Sequence, residues 1–261
     1  MKRTLLDRAP CDFPEGVARF VGGAKIYDSS CSPEARVYFV DRDAGYYIKT
    51  SAAGTLEREA LMTEYFHKKG LSANVVDYLA LETDWLITAR VSGEDCTHAR
   101  YLDDPRRLCD TLACELRRLH ELDASDCPVK DRMSEYIALA KRNFSTGNYD
   151  KSQFPDSFGY RSADEAMAAL LAGEGALKSE VLIHGDYCLP NVMLDDWRFS
   201  GFIDLGNAGI GDRHVDLFWA TWTLWFNLKT NEYRDRFLDA YGRDKIDADA
   251  LRSVAAVEVF G

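Results

Sequence analysis

The spacing of hydrophobic and polar positions changes near residue 92 of the 261-residue chain. Before that point, short runs of β-branched and aromatic residues separated by turn residues predict strands over 25–27, 36–40, 45–50, 74–80 and 84–91. After it, apolar residues recur at three- and four-residue steps and predict helices over 105–122, 133–143 and 163–171. The pattern therefore predicts an α+β chain whose strands come mainly first and whose helices come mainly second.

Two further helices are predicted from their ends and their composition. The stretch 55–69 has acidic residues in its first turns and is followed by Gly70, which is typical of a helix C-terminus. The run 217–228 is apolar but only twelve residues long, whereas a membrane-spanning helix needs roughly 20. We therefore expect this run to form a buried core helix.

The stretch from Glu180 to Gly206 carries the candidate chemistry. A short apolar strand over 181–183 leads into a loop with Asp186, and Asn191 follows five positions later. The next strands form a hairpin, and its second strand, predicted over 199–205, carries Asp204. One loop and one hairpin thus supply two carboxylates and an amide.

This set is the one that phosphoryl transfer in protein kinases requires. There, an aspartate accepts the hydroxyl proton, an asparagine five residues later binds one magnesium ion, and a later aspartate binds the metals. The same order and spacing predict Asp186 as the base and Asn191 and Asp204 as magnesium ligands. Taken singly, each residue has an ordinary structural explanation as a loop cap or turn residue, but their joint order favours the chemical one.

The motif HGDYCLPN followed by GFIDLG resembles the aminoglycoside 3'-phosphotransferases, a branch of the kinase-like antibiotic phosphotransferases. The resemblance extends from about Lys25 to Phe260. It implies a bilobal protein-kinase-like fold, with an N-terminal antiparallel sheet lobe over 1–91 and a mainly helical C-terminal lobe over 92–261. It also implies transfer of the γ-phosphate of ATP, or of GTP, with Mg²⁺, to a hydroxyl of a cationic small molecule, an aminoglycoside, giving resistance.

Two residues of the predicted strand 45–50 are candidates for nucleotide binding. Strand alternation places Tyr47 and Lys49 on the same face. A lysine there can pair with phosphate oxygens, and an aromatic ring two residues earlier can lie against adenine. Kinases hold this lysine with a glutamate of the following helix; helical spacing alone leaves Glu57 and Glu59 open, and the resemblance selects Glu59.

The remaining nucleotide contacts follow from the resemblance alone. The loop 28–35 has no glycine, unlike the phosphate loop of protein kinases, but it resembles the serine-containing loop of the aminoglycoside kinases. This implies that the Ser32 backbone lies near the β-phosphate. The backbone of Ala89 and Val91, just before the lobe boundary, is implied to bind adenine.

The acceptor residues are also implied by the resemblance. Asp156 lies in a segment that covers the antibiotic in the family, and Glu258 and Phe260 match the acid and aromatic residue at the family's C-terminus, here followed by Gly261. Asp216 resembles an aspartate that supports the catalytic loop.

Four acceptor positions depart from the family. Asn207 and Trp222 stand at arginines, Phe226 at a glutamate and Val257 at an aspartate. Lost carboxylates remove charge-assisted hydrogen bonds of roughly 1.5–3 kcal/mol each, and a cation–π contact to Trp222 would restore only about 0.5–2 kcal/mol. Alternatively, Trp222 is simply a core residue. We expect aminoglycoside binding that is weaker and of narrower range than in a relative with all these charges.

Composition limits the partners. With a net charge of −11 and a pI of about 5.0, nucleic acid and anionic membranes are disfavoured, whereas a cationic acceptor is compatible with the charge. Ordinary solubility explains this charge equally well. The seven cysteines form no CxxC pair, and the N-terminus lacks the apolar core of a signal peptide, so we expect reduced thiols in a cytoplasmic protein.

Alternatives remain for the acceptor and for the activity. The same chemistry could serve another antibiotic, choline or a sugar. A nucleotide-binding pseudokinase is disfavoured by the intact set Lys49, Asp186, Asn191 and Asp204. A protein kinase is disfavoured because no long activation loop follows Asp204.

Overall fold

A computed structural model describes residues 3–7, 10, 13–150 and 158–261. The chain divides into two compact units, and each is made of two separate stretches of sequence. The first unit comprises Met1–His98 and Pro190–Gly206, and the second comprises Ala99–Leu189 and Asn207–Gly261. The lobe boundary expected after residue 91 falls within the first of these stretches.

Strands and helices are numbered in chain order over the described residues. The strands are β1 (Thr4–Leu5), β2 (Lys25–Asp28), β3 (Arg36–Asp41), β4 (Tyr46–Ala52), β5 (Val75–Ala80), β6 (Thr83–Ala89), β7 (Glu94–Asp95), β8 (Val181–Ile183), β9 (Val192–Asp195), β10 (Arg198–Phe202) and β11 (Gly209–Gly211). The helices are α1 (Glu15–Val21), α2 (Glu57–Lys68), α3 (Ala99–Leu102), α4 (Pro105–His120), α5 (Arg132–Thr146), α6 (Ala163–Gly173), α7 (Arg213–Leu228), α8 (Glu232–Tyr241) and α9 (Ala248–Glu258). The prediction of an α+β chain with an N-terminal antiparallel sheet and a mainly helical C-terminal part is confirmed.

The first unit is built on a six-stranded antiparallel sheet in the order β1-β2-β3-β4-β6-β5. The register pairs Tyr47 of β4 with Phe39 of β3, and Lys49 with Val37 on one side and Leu86 on the other. Residues opposite each other across antiparallel strands point to the same face. Tyr47 and Lys49 therefore share a face with the aromatic ring of Phe39, as strand alternation predicted.

The two faces of this sheet have different cores. Helix α1 packs on one face, where Val17 and Val21 join the buried residues Ile26, Ile48 and Ile87. The opposite face carries Leu86, against which Leu56 and Ala60 pack at the start of α2. The sequence analysis assigned no element before residue 25, and it missed α1 because seven residues give only two turns of helical pattern.

A smaller three-stranded sheet, in the order β10-β9-β7, completes the first unit. The predicted hairpin is present, but β10 ends at Phe202, so the predicted strand over 199–205 was too long. Asp204 follows the strand with a φ of 60°, a left-handed conformation that a ladder residue does not adopt. The carboxylate is thus delivered by the loop after β10.

The second unit is mainly helical and has one two-stranded ladder, β8 with β11. Its core combines residues of α5, α6, α7 and α9, including Tyr136, Leu170, Val254 and Phe260. Helix α7 begins at Arg213, four residues before the predicted start, because the Asp212 side chain accepts a hydrogen bond from the His214 N–H and caps it. In the described part of the chain, no helix is both long and apolar enough to cross a membrane.

Two glycines of the first unit differ in how closely another strand approaches their backbone. Gly54 and Gly93 have φ values of 78° and 82°, but only Gly93 lies against another strand. A Cβ at Gly93 would come within 2.1 Å of the Leu194 carbonyl oxygen, whereas a Cβ at Gly54 would meet nothing within 4 Å.

We expect Gly54→Ala to lower the free energy of unfolding by about 1–2 kcal/mol, the usual cost of a left-handed alanine. Gly93→Ala should cost clearly more, because the β7–β9 pairing must also open. The measurement is denaturant unfolding of both variants beside the unmutated protein. Equal losses would contradict the close approach.

Candidate active site

A lysine bound to two carboxylates lies at the centre of the first unit. Lys49 Nζ is 2.7 Å from Glu59 Oε2 and 2.8 Å from Asp204 Oδ1. The Lys49 and Glu59 side chains are only 19% and 10% exposed, whereas that of Asp204 is 50% exposed. Glu59 therefore acts as the buried anchor, and Asp204 leaves part of its carboxylate open to a ligand.

The charges in this cluster stabilise one another. Burial alone would lower the pKa of Lys49, but Glu59 and Asp204 reverse this effect, and the net pKa lies above its ordinary value. Burial raises the pKa of Glu59 to about 6 although Lys49 opposes the rise. With both carboxylates in place, Lys49 is thus a cation at neutral pH.

The position of Glu59 depends on how α2 begins. The buried Asp84 carboxylate accepts a hydrogen bond of 2.9 Å from the Leu56 N–H, immediately before the helix. Glu59 then lies on the buried side of the first turn, and Glu57 lies on its exposed side. The contact that the sequence analysis assigned to Glu59 is present, and Glu57 is exposed, as expected.

Tyr47 lies within a group of aromatic rings on the face that also carries Lys49. Its ring centroid is 5.2 Å from that of Phe39. The Arg3 guanidinium lies 3.7 Å above the Phe39 ring and donates a 2.6 Å hydrogen bond to the Tyr47 hydroxyl. The predicted base-binding face is therefore aromatic and carries a cation.

The loop between β2 and β3 is fixed at its base and open at its tip. The Ser30 N–H donates to Asp28 Oδ1, and the Val37 N–H donates to Ser30 Oγ, both at 2.9 Å. Ser32 at the tip is exposed and lines a cavity of about 400 Å³. This arrangement leaves Ser32 accessible to a phosphate.

The backbone that is predicted to bind adenine lies at the end of β6 and just after it. The Ala89 N–H donates to the Asn74 carbonyl at 2.9 Å, so a ligand contact from Ala89 would use its carbonyl oxygen. Val91 is buried, with an exposed fraction of 7%. The predicted adenine contacts of Ala89 and Val91 stay predictions.

Asn191 and Asp204 are both in the first unit and suit a hard cation. Asn191 is 7% exposed, and its carbonyl oxygen accepts a 3.1 Å hydrogen bond from the Ile203 N–H, which links it to the segment before Asp204. Their side chains offer an amide oxygen and a carboxylate, the donors that Mg²⁺ prefers. Since the described residues contain no cluster of three or more His, Cys, Asp or Glu suited to a metal, such an ion would need further oxygens from phosphate and water.

In the second unit, Asp216 holds the backbone of the loop that leads to Asp186. Its Oδ2 accepts a 2.8 Å hydrogen bond from the His184 N–H, and its Oδ1 accepts one of 2.7 Å from the Gly185 N–H. His120 Nε2 lies 3.0 Å from Oδ2, and His120 Nδ1 lies 2.8 Å from the Tyr241 hydroxyl. Asp216 thus supports the two residues before Asp186, and the buried His120 at the end of α4 joins Asp216 to Tyr241.

Gly185 is also in close contact with Asn207 and Tyr136. Its φ is 83°, and a Cβ there would lie 2.2 Å from the Asn207 carbonyl oxygen. The Tyr136 hydroxyl donates a 3.1 Å hydrogen bond to the Gly185 carbonyl. Only glycine fits this position, and Asp186, which is half-buried, follows it directly.

Glu258 provides a buried carboxylate in the same unit. The Trp219 side chain donates a hydrogen bond to it, but Glu258 Oε1 has no hydrogen-bond partner among the described residues. Burial raises the pKa of Glu258 to about 8. Asp186 and Asp216 add to this rise, whereas Trp219 and Arg132 oppose it. A buried carboxylate oxygen without a partner is costly, and a cationic ligand would remove that cost.

The other acceptor candidates differ in their surroundings. The Phe260 ring is fully buried against Phe144 and Tyr149, so it fixes the end of α9, and its acceptor contact stays a prediction. Trp222 stacks on Phe226, which is 47% exposed. Val257 is buried. Asp156 lies outside the described residues.

Sequence reasoning missed Arg132 and Tyr136, which lie one turn apart on α5. The Arg132 guanidinium lies 4.4 Å from the Tyr136 ring centroid, and its Nε donates a 3.1 Å hydrogen bond to the Asn207 carbonyl. The four-residue spacing places both side chains on one face of α5, but their burial is not visible in the sequence.

Comparisons with known proteins agree with this fold. Residues 33–256 match the model of the phosphotransferase enzyme family. A probable aminoglycoside 3'-phosphotransferase of Lactococcus lactis subsp. lactis (strain IL1403) is 48% identical over 250 residues, covering 95% of each chain. An aminoglycoside 3'-phosphotransferase of Streptomyces fradiae is 30% identical over 253 residues, covering 91% of each.

Solved structures give the same result. The crystal structure of an aminoglycoside-3'-phosphotransferase of type VIII superimposes with a TM-score of 0.75 at 26% identity, covering 89% of this chain and 92% of that one. The chain belongs to the phosphotransferase enzyme family and has its kinase-like fold. The resemblance inferred from HGDYCLPN and GFIDLG is confirmed.

Glu258 predicts a pH-dependent stability. Because its folded pKa of about 8 lies above the ordinary 4.5, folding takes up a proton between these values. The contribution is fully present below pH 4.5 and is lost as the pH rises through about 8. Glu258→Gln should therefore raise the Tm at pH 8 by at least about 2–4 °C, equivalent to about 1 kcal/mol, and change it little at pH 5.

The control is Glu57→Gln, since Glu57 is exposed on α2. Thermal unfolding at both pH values measures the effect. A shift of the Tm by Glu258→Gln that is equal at pH 5 and pH 8 would show that Glu258 titrates normally.

Proposed function

We propose that this enzyme transfers the γ-phosphate of ATP, or of GTP, to a hydroxyl of an aminoglycoside and thereby gives resistance in the cytoplasm. The observation that carries the proposal is the Lys49 ammonium held between Glu59 and Asp204, because phosphoryl transfer needs a fixed cation beside a partly open carboxylate. The relatives named aminoglycoside 3'-phosphotransferases support the acceptor class.

The donor would bind to the first unit. The Lys49 ammonium would pair with phosphate oxygens, the open Ser32 tip would approach the β-phosphate, and the Tyr47 ring would face the base. Asn191 and Asp204 would hold Mg²⁺, which when bound offsets phosphate charge. Because Glu59 is buried and fixed to Lys49, the ammonium can turn from Asp204 to the phosphates without losing its anchor.

Asp186 would act on the acceptor hydroxyl. As a general base, it would take the proton while the hydroxyl oxygen forms a bond to the γ-phosphorus. The bond from that phosphorus to the β,γ-bridging oxygen breaks, and the nucleoside diphosphate leaves with the electron pair. Asp216 keeps the preceding backbone fixed, so that the carboxylate needs little reorganisation.

The Glu258 carboxylate supports a cationic acceptor. Its Oε1, which has no partner among the described residues, favours a ligand that brings an ammonium group, and such a group would lower the raised pKa of Glu258. Phe260 would fix the end of α9 that carries Glu258, and Asp156 would add an acidic contact. An aminoglycoside supplies several ammonium groups on its amino sugars.

A second candidate, a less charged acceptor such as a macrolide, choline or a sugar, is favoured by one observation. Trp222 and Phe226 stack at a centroid distance of 4.9 Å where the resemblance leads one to expect an arginine and a glutamate. Aromatic faces suit apolar or singly charged ligands.

The direct test is phosphate transfer to kanamycin-like and neomycin-like compounds, with macrolides and choline as controls. Release of the nucleoside diphosphate measures the turnover. We expect turnover on aminoglycosides, and Asp186→Asn should lower it by about 10²–10⁴-fold while nucleotide still binds. Turnover on a neutral acceptor alone would favour the second candidate. Full activity of Asp186→Asn would refute its role.

The ion pair of Lys49 and Glu59 predicts an effect on the KM for the nucleotide. Lys49→Ala should raise KM for the nucleotide more than KM for the acceptor, because the lost ammonium contacts the phosphates. Glu59→Gln should act in the same direction, since its carboxylate anchors that ammonium. Steady-state kinetics with each substrate varied in turn provide the measurement.

Glu57→Gln is the matched control for this pair, because Glu57 is exposed in the same helical turn. It should leave both KM values unchanged. An equal rise of both KM values in Lys49→Ala would point to a folding defect and contradict the assignment.

A further inference from the structure

We propose that Arg132 and Tyr136 of α5 are positioning residues that clamp Gly185 and thereby orient Asp186 for catalysis. The proposal rests on the proposed function only in taking Asp186 as the base. The clamp consists of Arg132, Tyr136 and Asn207. It is separate from Asp216, which holds the same glycine through its N–H.

Tyr136 forms the direct part of the clamp. It is 7% exposed, and its hydroxyl donates to the carbonyl oxygen of Gly185 at 3.1 Å. That carbonyl belongs to the peptide that joins Gly185 to Asp186. A hydrogen bond to this peptide restricts its rotation, and the rotation would move the Asp186 side chain.

Arg132 forms the indirect part through Asn207. Its Nε donates to the Asn207 carbonyl oxygen at 3.1 Å, and its Nη2 lies 3.4 Å from Asn207 Oδ1. The same Asn207 carbonyl oxygen would lie 2.2 Å from a Cβ on Gly185, so it forms a wall against this glycine. Arg132 thereby fixes the Asn207 carbonyl that lies against Gly185, and Tyr136 fixes the carbonyl of Gly185 itself.

The guanidinium also joins the two parts. It lies 4.4 Å from the Tyr136 ring centroid, and its Nη1 pairs with Glu135. Arg132 is only 5% exposed, which is rare for an arginine unless its charge is paired. A Cβ at Gly209 would lie 2.5 Å from Arg132 Cγ, so this glycine leaves room for the arginine stem.

A general stabilising role would predict a different outcome from a positioning role. If α5 merely packs, then loss of one hydroxyl or one guanidinium lowers the Tm and the amount of active protein, but the surviving enzyme keeps its kcat. If the clamp orients Asp186, then kcat falls while KM for nucleotide stays, because a small misplacement of a reacting group is costly.

The variants are Tyr136→Phe, which removes only the hydroxyl, and Arg132→Lys, which keeps the charge and loses the fork. We expect Tyr136→Phe to lower kcat about fivefold and Arg132→Lys to lower it at least about tenfold, with KM for nucleotide unchanged. The combined variant should lose less than the product of the two effects, since both act on the same glycine.

Each variant has a matched control in the same unit. Tyr160→Phe removes a buried hydroxyl that donates to the Arg252 carbonyl at 2.6 Å. Arg142→Lys changes an exposed arginine on the same helix α5. Both should keep the unmutated kcat, and Tyr160→Phe should lower the Tm about as much as Tyr136→Phe does.

Asp186→Asn, measured in parallel, separates the two proposals. If it is inactive and the two clamp variants keep full kcat, the clamp is overturned and the proposed function stands. If Tyr160→Phe lowers kcat as much as Tyr136→Phe, the effect is one of folding, and the clamp is again overturned. If Asp186→Asn is fully active, the assignment of the base fails together with the premise of the clamp.

Discussion

The first unit depends on one constraint, the presence of a largely buried ammonium group that must keep its charge. Removing a charge from water costs several kcal/mol unless partners replace the lost hydration. Lys49 meets this requirement with two carboxylates, and each of them fixes a different element. Glu59 ties α2 to the sheet through Lys49, and Asp204 ties the loop after β10, where the backbone has a positive φ, to the same lysine.

The second unit solves a related problem with the charges exchanged. Here the buried group is the Asp216 carboxylate. The backbone N–H groups of His184 and Gly185 donate hydrogen bonds to it in place of a counter-ion. Such charge-assisted hydrogen bonds are short and directional, so they fix a loop whose own pattern of residues does not. In each unit, groups from several elements satisfy a buried charge. The candidate site residues lie next to that charge.

Local pattern explained most elements, and long-range contacts explained the misses. Alternation along β4 correctly placed Tyr47 with Lys49, because side-chain direction in a strand is set within two residues. The end of β10 was misjudged because the apolar run continues through Ile203, whereas the backbone turns away to deliver Asp204. Helix α8 was missed because its buried residues, Phe237, Leu238 and Tyr241, come only in its second half.

The candidate site shows the same division. The motif spacing predicts Asp186, Asn191 and Asp204 as site residues, since these three candidates lie close together in sequence. It could not identify Arg132, whose hydrogen bond to Asn207 spans 75 positions, or the burial that raises the pKa of Glu258. Such contacts arise only once the chain has folded, and the sequence carries little trace of them.

The discontinuity of the first unit has a consequence for its synthesis. The strands β1–β6 leave the ribosome early, but Pro190–Gly206 follows only after the whole stretch Ala99–Leu189 has been made. Until then β7 lacks its partner β9, the Leu71 carbonyl lacks the Phe202 N–H that it accepts at 2.7 Å, and Lys49 has one carboxylate instead of two. The nascent N-terminal sheet must therefore wait in an incomplete form, a period in which chaperones and proteases can act on it.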